Sequence, residues 1–309
     1  MRSALNALTD ELRRLKNTGV KTVAVSDEAV AALRRVVTAR AAGGQKPRSA
    51  VAPASSSAAG SKPGPPPAQI RPPVAVVSHP LPAATLPAAP VVALPEGDKA
   101  ARWAALRELV LKDATCCAHV RAGKKVVLGV GSLDAKIMFV GEAPGAEEEI
   151  QGEPFVGPAG QLLTKMIQAM GLKRGEVYIG NIMNWRPQMP TAAGAEQVGN
   201  RPPTEEEMRY CLPYLRAQIE VVNPTMIVAL GTTAAQGLLG FGSFKALGDI
   251  RGTWREFAGK PLMVTYHPSY ILRSPSNRLK RMIWEDLLKV MARAGLIISE
   301  KQRGYFLDR

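Results

Sequence analysis

Four short apolar runs punctuate the second half of the chain: AKIMFV at 135–140, VYIG at 177–180, TMIVA at 225–229 and PLMVT at 261–265. Each is too short for a helix and is bounded by turn residues, as expected of strands buried on both faces. They predict strands over 135–140, 177–181, 225–230 and 261–266. Between them apolar residues recur at three- and four-residue spacing, which predicts helices over 158–171, 204–221, 232–239 and 277–294. ARWAALRELVLKDA, ahead of the first strand, predicts a further helix burying Trp103, Leu106, Leu109 and Val110. Strands alternating with amphipathic helices give an α/β fold: a single three-layer domain around a mainly parallel four-stranded sheet. In such a sheet the loops leaving the carboxyl ends of the strands converge on one crevice, where ligands bind.

Outside that block the pattern changes twice. Leu5, Leu8, Leu12 and Leu15, followed by SDEAVAALRRVV with Ser26 as an N-cap, predict short helices within 1–40. From about 41 to 97 proline, alanine and serine dominate, and about half of the chain's 25 prolines fall there. Such a segment buries too little apolar surface to offset chain entropy, so it reads as a disordered tether, and His79 inside it carries no chemistry. The expected organisation is a helical segment at 1–40, a linker at 41–97, the α/β domain at 98–294 and a tail at 295–309.

Composition narrows the partners. Forty Lys and Arg against 26 Asp and Glu leave a formal charge of +14, the balance of a protein that meets a polyanion; a basic unstructured tail is the alternative source. A mean hydropathy of −0.04 fits a soluble globular protein, and no apolar run nears the roughly 20 residues of a membrane-spanning helix. Charges within MRSALNALTDELRRLK leave no secretion signal, so a cytoplasmic, nucleoid-associated protein is expected. Three cysteines, Cys116, Cys117 and Cys211, suit a reducing compartment. No HExxH or paired CxxC pattern supports zinc.

The candidate chemistry sits directly after the predicted strands. GEAPGAEEE (141–149) offers a glycine-proline turn and three successive carboxylates, Glu147, Glu148 and Glu149; these are a source of a water-activating acid or a solvated helix face. EPFVGPAG (153–160) adds the aromatic ring of Phe155 and a second small-residue turn. Asn181 closes a strand and offers a donor and an acceptor side by side, suited to the imide edge of a pyrimidine, although a turn role would serve such an Asn equally. LGTTA (230–234) sets Gly231 and Thr232 at a helix start, where free N–H groups hold a phosphate or are simply capped. YHPSYILR (266–273) places His267 at the same sheet edge, with exposed apolar residues beside a base that fit a wedge entering a DNA stack, or the packing of the last helix.

Together with GNRPPT (199–204) and CLPYL (211–215), these segments resemble the uracil-DNA glycosylase superfamily, and within it the family 4 enzymes, over about residues 112–294. The resemblance implies an enzyme that flips uracil out of DNA and hydrolyses its N-glycosidic bond to leave an abasic site. It implies catalytic roles for Glu148 as water-coordinating acid, Glu142 as supporting acid and His267 at the leaving base. Ala143, Pro144, Gly145, Phe155 and Asn181 would bind uracil, and Gly231, Thr232, Ser269, Leu272 and Arg273 would contact DNA, with Leu272 as the wedge. Uracil-containing DNA is then the partner of a monomer, and the N-terminal segment could dock a repair or replication protein. Shifted base choice (hypoxanthine or mismatched thymine) and a non-catalytic DNA-binding accessory remain as alternatives.

The same resemblance implies a [4Fe–4S] cluster on four cysteines, and here the chain departs from its family. Two of the four positions match Cys117 and Cys211, whereas Ala114 and Trp185 stand at the other two. Four thiolates are the usual requirement, so no cluster is expected. The insertion QMPTAAGAEQV (188–198) lacks the basic, histidine-bearing loop of the DNA-trapping relatives.

Overall fold

The computed structural model describes residues 86–191 and 195–307. The predicted helices of 1–40, His79 and most of the linker lie outside them. The domain is built on six strands: β1 (Val130–Gly131), β2 (Ile137–Gly141), β3 (Tyr178–Asn181), β4 (Met226–Leu230), β5 (Trp254–Phe257) and β6 (Lys260–Thr265). Their order is β1-β3-β2-β4-β6-β5. The four expected strands form the parallel centre, and β1 and β5 extend it antiparallel at the two edges.

Side-chain alternation along the strands makes the layers. Met138, Val140, Ile227, Ala229, Leu262 and Val264 face one apolar cluster, while Ile137, Phe139, Val228 and Met263 face the other. Helices α1 (Lys99–Lys112), α2 (Ala114–Ala118), α5 (Glu205–Val222) and α6 (Thr232–Leu239) contribute to the first. Helices α4 (Pro158–Ala169) and α9 (Asn277–Arg293) cover the second. Short helices α3 (Ala146–Gln151), α7 (Leu247–Ile250), α8 (Pro268–Arg273) and α10 (Glu300–Arg303) complete the set. The start of α5 is fixed by reciprocal capping: Glu207 N–H donates to Thr204 Oγ1 at 3.2 Å, and Thr204 N–H donates to the Glu207 carboxylate at 2.7 Å.

Leu86, Val92 and Leu94, within the expected tether, pack on the first cluster. The expected tail also folds back: Leu296, Ile298 and Tyr305 pack on the second cluster, and Trp284 Nε1 donates to the Gln302 carbonyl at 2.6 Å.

Candidate active site

The loops after β2, β3, β4 and β6 meet around one cavity of about 760 Å³, within the usual size of a small-ligand pocket. Its walls include Glu142, Ala143, Pro144, Gly145, Glu148, Phe155, Asn181, Gly231, Thr232, His267, Ser269 and Arg273. Of the residues expected to form the site, only Leu272 is not part of this lining; it stands outside the cavity, 48 % exposed.

Asn181 and Phe155 are brought together by Gly141, which pairs with Asn181 in register across β2 and β3. A Cβ at Gly141 would lie 2.4 Å from Asn181 Oδ1 and 2.5 Å from the Phe155 ring, so only glycine lets both side chains approach. Phe155 adopts φ of 55°, a left-handed conformation that costs a bulky residue energy and is kept where the surroundings impose it. Asn181 is 6 % exposed, and its Oδ1 is buried without a hydrogen-bond donor. An unmet buried acceptor costs about 1–3 kcal/mol, a cost that a ligand N–H would remove.

His267 caps α8 through its own ring. Ser269 N–H donates to Nδ1 at 3.2 Å, and Ser269 Oγ lies 2.8 Å from the same nitrogen. Because a backbone N–H is always a donor, Nδ1 is the unprotonated nitrogen and Nε2 carries the hydrogen. Burial, assisted by the charge of Arg273, lowers the imidazole pKa to about 4, so the ring is neutral near pH 7. Gly231, at φ +94°, brings the end of β4 against this residue; a Cβ there would sit 2.9 Å from the His267 Cβ.

The three successive acids have three different fates. Glu147 is exposed at the rim. Glu149 is buried in an ion pair with Arg186, Oε1 to Nη1 at 2.9 Å, with both side chains nearly inaccessible. Glu148 lines the cavity, but its carboxylate accepts from the N–H groups of Gly145, Val156 and Gly157 at 3.1, 3.2 and 3.1 Å. It thereby ties the first turn to the second. Glu142 is less constrained: burial raises its pKa above the ordinary carboxylate value, opposed by a bond from Thr233 and by the charge of Arg273.

Asn200 and Tyr266, to which the sequence gives no individual role, line the cavity together with Tyr270 of the expected wedge segment. Asn200 Oδ1 accepts from Arg186 Nε at 2.8 Å, which turns its amide NH2 away from the guanidinium. Arg186 also binds the carbonyls of Gln197 and Gly199, fastening the end of the insertion to the site. The GNRPPT motif marks the position of Asn200, but its orientation depends on Arg186, which lies on a different segment.

The region of the family's cluster ligands is packed differently. Trp185 is fully buried, stacked on His119 with centroids 4.8 Å apart and tilted against Tyr210 at 6.0 Å. Cys117 is exposed, with its thiol donating to the Leu111 carbonyl at 3.3 Å. It is Cys116, not Cys117, that shares the interior with Cys211: the hydrogen bond between the two thiols, followed by burial, pushes the Cys116 pKa far up. Asp113 organises this corner by accepting from Cys116 N–H, Tyr210 and Tyr214 at 2.6, 2.8 and 3.0 Å. Among the described residues, no group of three or more His, Cys, Asp or Glu side chains is arranged to hold a metal. With an alanine, a buried tryptophan and an outward thiol at three of four positions, these residues do not fit a cubane cluster.

The profile of the Uracil DNA glycosylase superfamily matches residues 128–288, just over half of the 309-residue chain. The chain belongs to the uracil-DNA glycosylase superfamily. Among its relatives, the type-4 uracil-DNA glycosylase of Thermotoga maritima is 43% identical over 183 residues, 59% of this chain and 89% of that protein. The type-4 enzyme of Pyrobaculum aerophilum is 40% identical over 179 residues, covering 56% of this chain and 86% of its own length. The type-5 enzyme of the same organism is 32% identical over 174 residues, 53% of this chain and 73% of its own. Within the superfamily the chain therefore resembles the type-4 branch more than the type-5 one. Nevertheless, it carries Trp185 and Ala114 at positions where that branch is expected to hold iron.

Proposed function

We propose that this chain excises uracil from DNA, hydrolysing the N-glycosidic bond and leaving an abasic site. The observation that carries the reading is the buried, unpaired Oδ1 of Asn181 beside the ring of Phe155. Uracil N3–H is the donor that this oxygen lacks, and the amide NH2 donates to O4. Cytosine presents an acceptor at N3 and a donor at C4, so it is rejected at both atoms. The target base is unreachable inside a duplex, and the nucleotide is extruded into the cavity at a cost of a few kcal/mol. Leu272, exposed outside the rim, fills the vacated stack.

As the C1′–N1 bond breaks, negative charge gathers on uracil O2 and positive charge on the sugar. The Nε2–H of neutral His267 donates to O2 more strongly in the transition state than in the ground state, which is what lowers the barrier. The role of water-holding acid passes to Glu142, because the Glu148 carboxylate is largely engaged by three backbone donors. Glu142 orients the water and offsets the oxocarbenium charge, as carboxylates do in glycoside hydrolysis. The buried, stacked Trp185, the alanine at 114 and the outward thiol of Cys117 support catalysis without a [4Fe–4S] cluster. The reading extends to a monomer acting in the cytoplasm at the nucleoid, with residues 1–40 available to dock a repair or replication protein.

The deciding experiment incubates the full chain with oligonucleotides carrying uracil, hypoxanthine or a thymine mismatch, single- and double-stranded, and assays free base and alkali-labile sites. Uracil release with little release from the other substrates is the expected result. Absence of uracil release from every substrate would overturn the reading. Iron determination on the same preparation is expected to find none, and stoichiometric iron would remove the cluster-free part alone.

A further inference from the structure

Beside the uracil pocket lies an aromatic pair that the steps above do not use. The rings of Tyr266 and Tyr270 are stacked, with centroids 5.1 Å apart and planes 25° apart. Both line the cavity, and Tyr270 is 42 % exposed. A ring stacked on one face and exposed to this extent keeps its other face for solvent or a ligand.

The stack is held from below. The Arg251 guanidinium lies over Tyr266, 5.7 Å from its centroid. Arg251 is itself fixed by the wholly buried Asp286, Nη2 to Oδ1 at 2.7 Å and Nε to Oδ2 at 3.2 Å, and by the Met282 carbonyl at 2.8 Å. Asp286 also accepts from Thr265 Oγ1 at 2.7 Å, one residue before Tyr266. A rigid ring loses little conformational freedom on stacking, so this anchoring favours affinity. On the short helix α8, Tyr270 and Leu272 are two residues apart and so point to nearly opposite sides. The wedge and the platform therefore serve different parts of the same strand.

On the glycosylase reading, we propose that Tyr270, backed by Tyr266, is a platform for the nucleobase immediately next to the flipped uridine on the same strand. Base–aromatic stacking is tolerant of sequence because every base has a π-face. The platform therefore contributes to DNA binding without restricting the context of the uracil. It acts on substrate capture, not on bond cleavage, since it touches a neighbour of the reacting nucleotide. It also favours single strands, in which that neighbour is already free of its pairing partner.

The test uses single-stranded oligonucleotides carrying one deoxyuridine with ordinary bases on both sides, or with a tetrahydrofuran abasic analogue on the 5′ or the 3′ side. For the unmodified protein, removing the base on one of the two sides is expected to lower kcat/KM about tenfold, through KM. Tyr270→Ala is expected to cause a similar loss on the ordinary substrate and almost none beyond it on the affected abasic substrate. Tyr270→Phe and Tyr270→Trp should restore capture. Indifference of the unmodified protein to both abasic neighbours would overturn the platform, a result that needs no variant to fold. So would a Tyr270→Ala loss of equal size on all three substrates. Failure to release uracil from any of them would instead strike the glycosylase reading itself.

Discussion

The uracil pocket and the corner around Trp185 are built from neighbouring segments, yet they treat polar groups in opposite ways. In the pocket, Asn181 Oδ1 is left without a donor beside a cavity open to a ligand. In the corner, Asp113 takes three donors, His119 Nδ1 donates to the Thr115 carbonyl at 2.8 Å, and the thiols are paired or turned outward. Trp185 Nε1 and the neighbouring Asn184 Oδ1 are the exceptions, both buried without a partner and neither part of the cavity lining. An unmet polar group with access marks a binding site. One away from the cavity is a cost that the surrounding packing must outweigh.

That contrast can be broken most forcefully at the corner. Trp185→Ala removes a fully buried ring that supports α2, α5 and the Arg186 segment, and is expected to cost about 3–5 kcal/mol of stability in denaturant unfolding. A loss below about 1 kcal/mol would mean that the corner does not rest on this ring. At the pocket, His267→Ala is expected to slow uracil release by about 10²–10³ while leaving DNA binding nearly unchanged, measured by single-turnover kinetics.

The pH behaviour of the same histidine follows from its lowered pKa of about 4. An unfolded chain binds a proton at this residue below about pH 6.5, whereas the folded chain does not until about pH 4. The contribution of His267 to stability is therefore full above the unfolded value and declines as pH falls between the two, a decline that His267→Gln should abolish. On the proposed mechanism activity has a separate acid limb, because Glu142 acts ionised and burial raises its pKa. Glu142→Gln should lower the rate and flatten that limb.

Two smaller effects sharpen the comparison. Asn181→Asp leaves a carboxylate that cannot donate to uracil O4, and uracil discrimination should fall by about 1–3 kcal/mol, read from kcat/KM on uracil and cytosine substrates. Cys117→Ser, at an exposed thiol, should change stability by less than about 0.5 kcal/mol and leave activity intact. A chain that loses activity or colour on that substitution would be using Cys117 as a metal ligand.

The parallel centre was legible because AKIMFV, VYIG, TMIVA and PLMVT are predominantly apolar, as burial on two faces demands, with Lys136 at the exposed entry of the first. The edge strands were not: β1 has two residues, and β5 reads Trp-Arg-Glu-Phe with its two central residues exposed, so neither carries a long apolar run. The packed part of 86–97 was hidden by its proline and alanine content, since its burial comes from three spaced side chains on a surface that only tertiary structure supplies. In the site, strand-end placement was enough to gather His267, Asn181 and Phe155. It was not enough to divide labour among Glu142, Glu147, Glu148 and Glu149, because that depends on which way a turn presents its amides. The swap between Cys116 and Cys117 has a similar origin. Neighbours on a helix point about 100° apart, and alignment by spacing cannot say which one faces inward.

The contact between Gly231 and His267 has a consequence in heredity. Every amino-acid replacement reachable at the codon for residue 231 adds a Cβ, and that atom would fall 2.9 Å from the Cβ of His267. A lineage can therefore lose base excision through a missense change at residue 231, which follows β4, whereas the histidine follows β6. In a comparison of natural variants, position 231 should be as intolerant as the histidine it abuts, and alleles altered there should behave genetically like alleles of His267.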